Sequence, residues 1–213
     1  MHRSRNKQEN SFLYNETLKM IDERNGVRRT KGWNGVGKMV GVGEHLDRKG
    51  DHCDFVIKPK LRKKWSNEAE KTILNKCGCI FKKYFGKKPV GYKEMLQQQR
   101  ELWPIDFPNE LTDVPRCRNA SLNLGNEKHN NNDGTRSFAV WVSNKKESSN
   151  TSWYLLFPEW GVAIELKDGT WISWNGKDCG HCSATPNLAG GEQLLSLFCS
   201  IPENLCNHLE KLK

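Results

Sequence analysis

The sequence predicts an α+β chain: a basic, mainly helical extension over residues 1–101, then a compact all-β domain over 102–213. Two observations carry this. Short apolar or alternating runs crowd together after Pro104, and the Lys/Arg clusters lie almost entirely before it.

The runs are 120–124, 137–142, 153–157, 162–166, 170–174 and 194–198, separated by Asn132-Asp133-Gly134, 145–150, Lys167-Asp168-Gly169 and Asn175-Gly176. Strands so short and closely spaced build a small sandwich or barrel. Asp168-Gly169 between two of them predicts a hairpin. In the first half, Phe12, Leu13, Leu18 and Ile21 recur near helical spacing and predict a short amphipathic helix over 10–24. Ser66 as N-cap, acidic Glu68 and Glu70, and apolar Ala69, Ile73, Leu74 and Cys77 predict a second over 66–85. Residues 91–101 predict a third, ended by Pro104. Residues 26–43 contain six glycines and predict a loop; the Gly-x-x-x-x-Gly-Lys-Ser/Thr spacing of a phosphate-binding loop is missing.

The chain is polar, with 36% hydrophobic residues, yet 8 Trp, 8 Phe and 4 Tyr supply large units for burial. Its net charge is +9, drawn from Arg28-Arg29, the 58–64 cluster, Lys82-Lys83 and Lys87-Lys88. A one-sided excess favours a polyanion, because each neutralised phosphate releases condensed counterions. Lys58, Lys60, Arg62, Lys63, Lys64, Lys82 and Lys83 are the candidate nucleic-acid contacts, and a merely solvated surface is the alternative. The charged first residues are followed by no apolar segment, and no run is long enough for a membrane span. The expectation is an intracellular protein with free thiols, nuclear in a eukaryotic host and otherwise cytoplasmic.

Two histidines stand out within the β region. His129 follows run 120–124 and His181 follows run 170–174, with three runs between them. Two imidazoles and one oxygen ligand on a single face form the facial triad of non-haem Fe(II) oxygenases, which leaves positions open for co-substrate and O₂.

The order of parts over 120–202 resembles the double-stranded β-helix (jelly-roll) core of the Fe(II)/2-oxoglutarate dioxygenases. It is nearest to the TET/JBP-like branch that oxidises methylated pyrimidines in DNA. The parts are the run before His129, Phe157-Pro158-Glu159, Gly161 to Leu166, Asp168 to Trp174, His181 and the closing run 194–198. The resemblance implies Fe(II) held by His129 and His181, with Asn131 or Asp133 as the oxygen ligand. It implies 2-oxoglutarate or another reductant as co-substrate, and a nucleic-acid substrate, DNA ahead of RNA. Two departures stand. The family's His-x-Asp/Glu is His129-Asn130-Asn131 here, and the family's Arg beyond the distal histidine is replaced by Gly191-Glu192-Gln193-Leu194. Glu, Gln and Leu cannot make the bidentate bond of Arg to a carboxylate. Arg136, from a neighbouring run, and Gln193 are therefore the candidate co-substrate contacts.

Other strings compete. His45-Leu46-Asp47 and His52-Cys53-Asp54 spell His-x-Asp but lie in the glycine-rich, basic segment, where a solvated loop is expected. Cys179-Gly-His181-Cys182 has zinc-ligand spacing, with Cys199 or Cys206 to complete a tetrahedral site. Three readings result: an Fe(II) dioxygenase acting on a base, a silent jelly roll that binds nucleic acid, and a zinc-stabilised interaction module.

Overall fold

The computed structural model describes residues 1–22, 36–46, 52–54, 68–86, 91–102, 115–144, 152–185 and 191–211. In chain order the elements are β1 (His2–Arg3), α1 (Lys7–Asp22), β2 (Val36–Leu46), β3 (His52–Asp54), α2 (Glu68–Phe85) and α3 (Tyr92–Leu102). There follow β4 (Cys117–Gly125), β5 (Ser137–Ser143), β6 (Trp153–Phe157), a 3₁₀ turn (Pro158–Trp160) and β7 (Val162–Leu166). The chain closes with β8 (Thr170–Trp174), β9 (Cys182–Ala184), β10 (Leu194–Cys199) and α4 (Glu203–Glu210). All six runs read from the sequence are strands, and the helix expected over 66–85 is α2; its proposed cap, Ser66, lies outside the described residues.

The strands form two antiparallel sheets. The larger has the order β1-β8-β5-β10-β4-β2-β3 and the smaller β7-β6-β9. Side chains alternate across the large sheet, and this period of two separates two cores. Phe138, Val140, Trp171, Leu195 and Leu197 face the helices, where they meet Leu13, Ile80, Phe81, Phe85, Met95 and Leu205. Their neighbours Ala139, Trp141, Ile172, Trp174 and Leu194 face the small sheet, against Trp153, Leu155, Phe157 and Leu166. Each helix buries one stripe at three- and four-residue spacing, as with Cys77, Ile80, Phe81 and Phe85 of α2. Asn6 caps α1, its Oδ1 accepting the backbone N–H of Gln8 and Glu9 at 3.1 Å. Among the described residues no helix is long and apolar enough to cross a membrane.

Two expectations are corrected. The glycine-rich segment is no loop where it is described, since 36–46 is strand β2, paired along β4, and β1 and β2 bring both sides of residue 102 into one sheet. Gly37 sits at a register shift in that pairing with φ 88°, and a Cβ there would fall 2.2 Å from the Asn123 carbonyl oxygen. That glycine permits close strand approach, a use that composition alone does not separate from loop flexibility. The turn at Asp168-Gly169 exists, with Thr170 N–H donating to Lys167 O at 3.0 Å. Yet β7 and β8 lie in different sheets, so the turn is a crossover and not a hairpin. Asp168 ties this crossover down: its carboxylate accepts from Asn10 Nδ2 at 2.8 Å and from the Ser143 N–H at 2.9 Å.

Trp171 joins the large sheet to the helices. It is 1% exposed, with ring centroids 4.5 Å from Tyr84, 5.1 Å from Phe81 and 5.4 Å from Phe85. Trp171→Ala is expected to cost about 3–5 kcal/mol of folding stability, read as a lowered urea midpoint at unchanged slope; a loss under about 1 kcal/mol would remove it as the keystone of that core.

A candidate metal and ligand cavity

Between the sheets lies a cavity of about 600 Å³. Its floor comes from positions of the large sheet that alternate away from the helices: Asn119, Ser121, Trp141, Trp174, Ser196 and Phe198. Ser121 and Ser196 share a hydrogen bond at 2.6 Å across adjacent strands. The floor is therefore aromatic faces with neutral amides and hydroxyls, and the charged residues Arg118, Glu127, Lys128 and Asp133 complete the lining.

The histidines sit at this cavity and hold each other by their backbones. His129 N–H donates to His181 O and His181 N–H to His129 O, both at 2.9 Å. Asn126 extends the pairing, its N–H donating to Ser183 O at 3.0 Å and its Oδ1 accepting the Ser183 N–H at 2.7 Å. Residues 126–129 thus run beside β9 along the small sheet. The two imidazole centroids are 4.5 Å apart. His129 Nδ1 lies 2.9 Å from Glu127 O, and His181 Nδ1 lies 2.9 Å from Cys179 O. A carbonyl only accepts, so the His181 Nδ1 carries a proton and faces away from any metal. The His129 Nδ1 also lies 3.3 Å from the Asn126 amide nitrogen, a donor, so it has one donor and one acceptor beside it. Burial holds the His181 imidazole below its ordinary pKa, reinforced by His129 and opposed by the Cys179 carbonyl. The His181 ring is therefore preset as a neutral Nε2 donor, the form that binds metal.

The oxygen candidates are placed otherwise. Asp133 lines the cavity at 8% exposure, and its two oxygens accept hydroxyl bonds from Ser137 and Ser200 at 2.7 Å each. Burial pushes its carboxyl up, more than the hydroxyls and Asn131 draw it down. Asn131 also lines the cavity, with its N–H on Gly176 O at 2.8 Å and its amide 3.5 Å from Ser137 Oγ. Among the described residues no three His, Cys, Asp or Glu side chains gather as a metal set. His129 and His181 are the two side chains that could hold a divalent metal, and Asp133 does not join them in a three-ligand set.

Arg136 and Gln193 lie outside the cavity lining. Arg136 keeps step with Phe138 on the helix face, where its Nε donates to Ser173 Oγ at 3.3 Å. Gln193 keeps step with Leu195, and its Oε1 accepts from Tyr14 of α1. Arg118 keeps step with Ala120 and Leu122 along β4, yet it also lines the cavity at 5% exposure, and its charge acts on the Cys77 and Cys199 thiols. The other cation at the lining, Lys128, is paired with Glu159. A buried arginine is therefore present at the cavity, on a different strand from the one on which the family pattern places its arginine.

The zinc grouping is divided by the large sheet. Cys179 is buried on the cavity side, whereas Cys199 and Cys206 lie in the helix-side core. His45 and Cys53 are register partners of β2 and β3, in strands rather than the expected solvated loop. Lys58, Lys60, Arg62, Lys63 and Lys64 lie outside the described residues. Lys82 and Lys83 end α2, on the far side of the sheet from the cavity, and Lys83 pairs with Glu9 at 2.7 Å. Sequence reasoning missed Asn126, Ser137, Ser200 and Trp174. Trp174 packs edge-on to His181 at 5.3 Å, and its indole N–H is buried with no acceptor among the described residues.

No family model and no curated protein matches this chain. Among solved structures, NgTET1 in complex with 5mC DNA superposes with a TM-score of 0.50 at 11% identity, over 91% of this chain and 69% of that one. The chain has the double-stranded β-helix fold. This is the fold of the Fe(II)/2-oxoglutarate dioxygenases, as the order of strands implied. Looser superpositions are the viral collagen prolyl hydroxylase of Paramecium Bursaria Chlorella virus-1 in its 2OG complex and a Trichoplax adhaerens prolyl hydroxylase bound to a hypoxia inducible factor peptide. The first has a TM-score of 0.40 at 14% identity, over 90% of this chain and 88% of that one. The second has 0.44 at 11%, over 97% and 84%.

Because the folded Asp133 pKa lies above its ordinary 3.8, its contribution to stability is complete below that value and is lost as pH rises through the raised one. Asp133→Asn is accordingly expected to be more stable than wild type at pH 7 by urea unfolding, with the gap closing as pH falls toward 3.8. No gain at pH 7 would mean that a cation already compensates the carboxylate.

Proposed function

We propose that this chain is a metal-dependent protein of the dioxygenase kind that acts on a base in nucleic acid, with Fe(II) held by His129 and His181. The observation that carries the proposal is the histidine pair, bridged through backbone and hydrogen-bonded at both Nδ1 atoms, which leaves the Nε2 atoms as the donors for a metal at an aromatic-lined cavity. Fe(II) on two imidazoles would supply open positions at which O₂ is activated. The chain's own residues do the rest. The Cys179 carbonyl holds the His181 ring proton away from the metal side, and Trp141, Trp174 and Phe198 offer faces for a planar ring. The hydroxyls and amides of Ser121, Ser196 and Asn119 suit the mixed donors and acceptors of a base edge. A base reaches such a cavity only out of its stack. The +9 charge and the neighbour crystallised with 5mC DNA support a nucleic-acid partner.

A second reading is a silent jelly roll that binds nucleic acid. The tying of Asp133 to two serines, which holds the acid away from the histidine pair, favours it.

Anaerobic Fe(II) titration, followed by O₂ together with 2-oxoglutarate or ascorbate as the two-electron donor and mass spectrometry of bases in a single-stranded oligonucleotide, separates the two. The proposal expects one Fe(II) per wild-type chain, affinity lowered at least about tenfold in His129→Ala and in His181→Ala, and an oxygen added to a base by wild type alone. Absence of Fe(II) binding in wild type would sink the metal reading in favour of the silent one. Iron binding without base oxidation, whatever reductant is offered, would leave a metal site and no dioxygenase.

A further inference from the structure

We infer that Trp160 is a stacking platform at the rim of the cavity, taking a base of an unpaired nucleic-acid strand next to the base that enters. The inference rests on the nucleic-acid part of the proposed function. Trp160 is 67% exposed, whereas Trp141, Trp153, Trp171 and Trp174 are all buried. Large aromatic rings left this open are uncommon in a chain with apolar cores available to them. The ring is nonetheless fixed. It stacks on Phe157 at 6.3 Å with 21° between planes, in a single 3₁₀ turn entered through Pro158 and left through Gly161 at φ 62°. A preset aromatic surface costs little entropy to use.

Its position ties it to the site. Phe157 also lies 6.2 Å from His181, so one ring links the exposed indole to the histidine pair. Glu159 of the same turn pairs with Lys128, the residue before His129. The Asn130 side chain donates to the Lys177 carbonyl at 2.7 Å, so a second lysine belongs to this rim. Lys128 and Lys177 are 46% and 51% exposed, in surface pairs with Glu159 and Glu203. Exposed pairs of this kind are weak, and a phosphate can displace the carboxylate from either lysine. An open aromatic beside cations is the combination that holds single strands, in which the base supplies the ring and the backbone supplies the charge.

The test is fluorescence anisotropy with a labelled oligothymidylate on wild type, Trp160→Ala and Trp160→Phe at several salt concentrations. Truncation at 67% exposure leaves both cores intact, so melting midpoints should match and report folding directly. Stacking predicts about tenfold weaker binding for Trp160→Ala, wild-type affinity within about threefold for Trp160→Phe, and an unchanged salt slope in both. Wild-type affinity in Trp160→Ala overturns the platform and leaves nucleic-acid binding standing. An equal loss in the Ala and Phe variants overturns stacking as the cause. No binding by wild type at low salt overturns both the platform and the nucleic-acid reading beneath it.

Discussion

The backbone bridge between His129 and His181 is the interaction on which the candidate site depends. Two residues 52 positions apart exchange both N–H···O=C bonds at 2.9 Å, and Asn126 and Ser183 continue the pairing. This carries the segment after β4 to the small sheet and sets two imidazoles with centroids 4.5 Å apart. Main-chain bonds fix the positions, and the Cys179 carbonyl fixes the tautomer of His181. Little of the preorganisation is left to rotamer choice.

The second constraint is the two-residue period of the large sheet. It divides the side chains into an apolar set that meets four helices and a mixed set that lines the cavity. The same parity excludes candidates. Arg136 and Gln193 keep step with helix-facing neighbours and lie outside the cavity lining, so they contribute to the outer core. A one-residue slip would reverse that assignment, but β10 pairs continuously with β4 and β5, and both of its faces are buried.

The cavity that results carries two buried charges at its lining, Asp133, held by two serine hydroxyls, and Arg118, while Lys128 is paired with Glu159 at the rim. Neutral amides, hydroxyls and aromatic faces lie between them and suit a planar ligand with donors and acceptors. Fold and chemistry are separable here: the double-stranded β-helix is kept, while His129-Asn130-Asn131 stands where the family pattern has His-x-Asp/Glu.

The sequence alone determined six of the strands and singled out the two histidines. Short apolar or alternating runs over 120–198 marked those strands, because a strand buried on one face alternates and one buried on both reads as a continuous apolar run. His129 and His181 were legible because each lies in the turn segment shortly after a run. It did not determine β2, whose glycines serve close strand approach at Gly37, nor the crossover at Asp168-Gly169, whose turn chemistry is that of a hairpin. It also left Asn126, Ser137, Ser200 and Trp174 unmarked, since each matters only through a partner distant in sequence. Tertiary structure alone decided which face each residue took, and so which residues share the cavity. Side-chain direction follows from register, and register is a property of the paired strands rather than of any one of them.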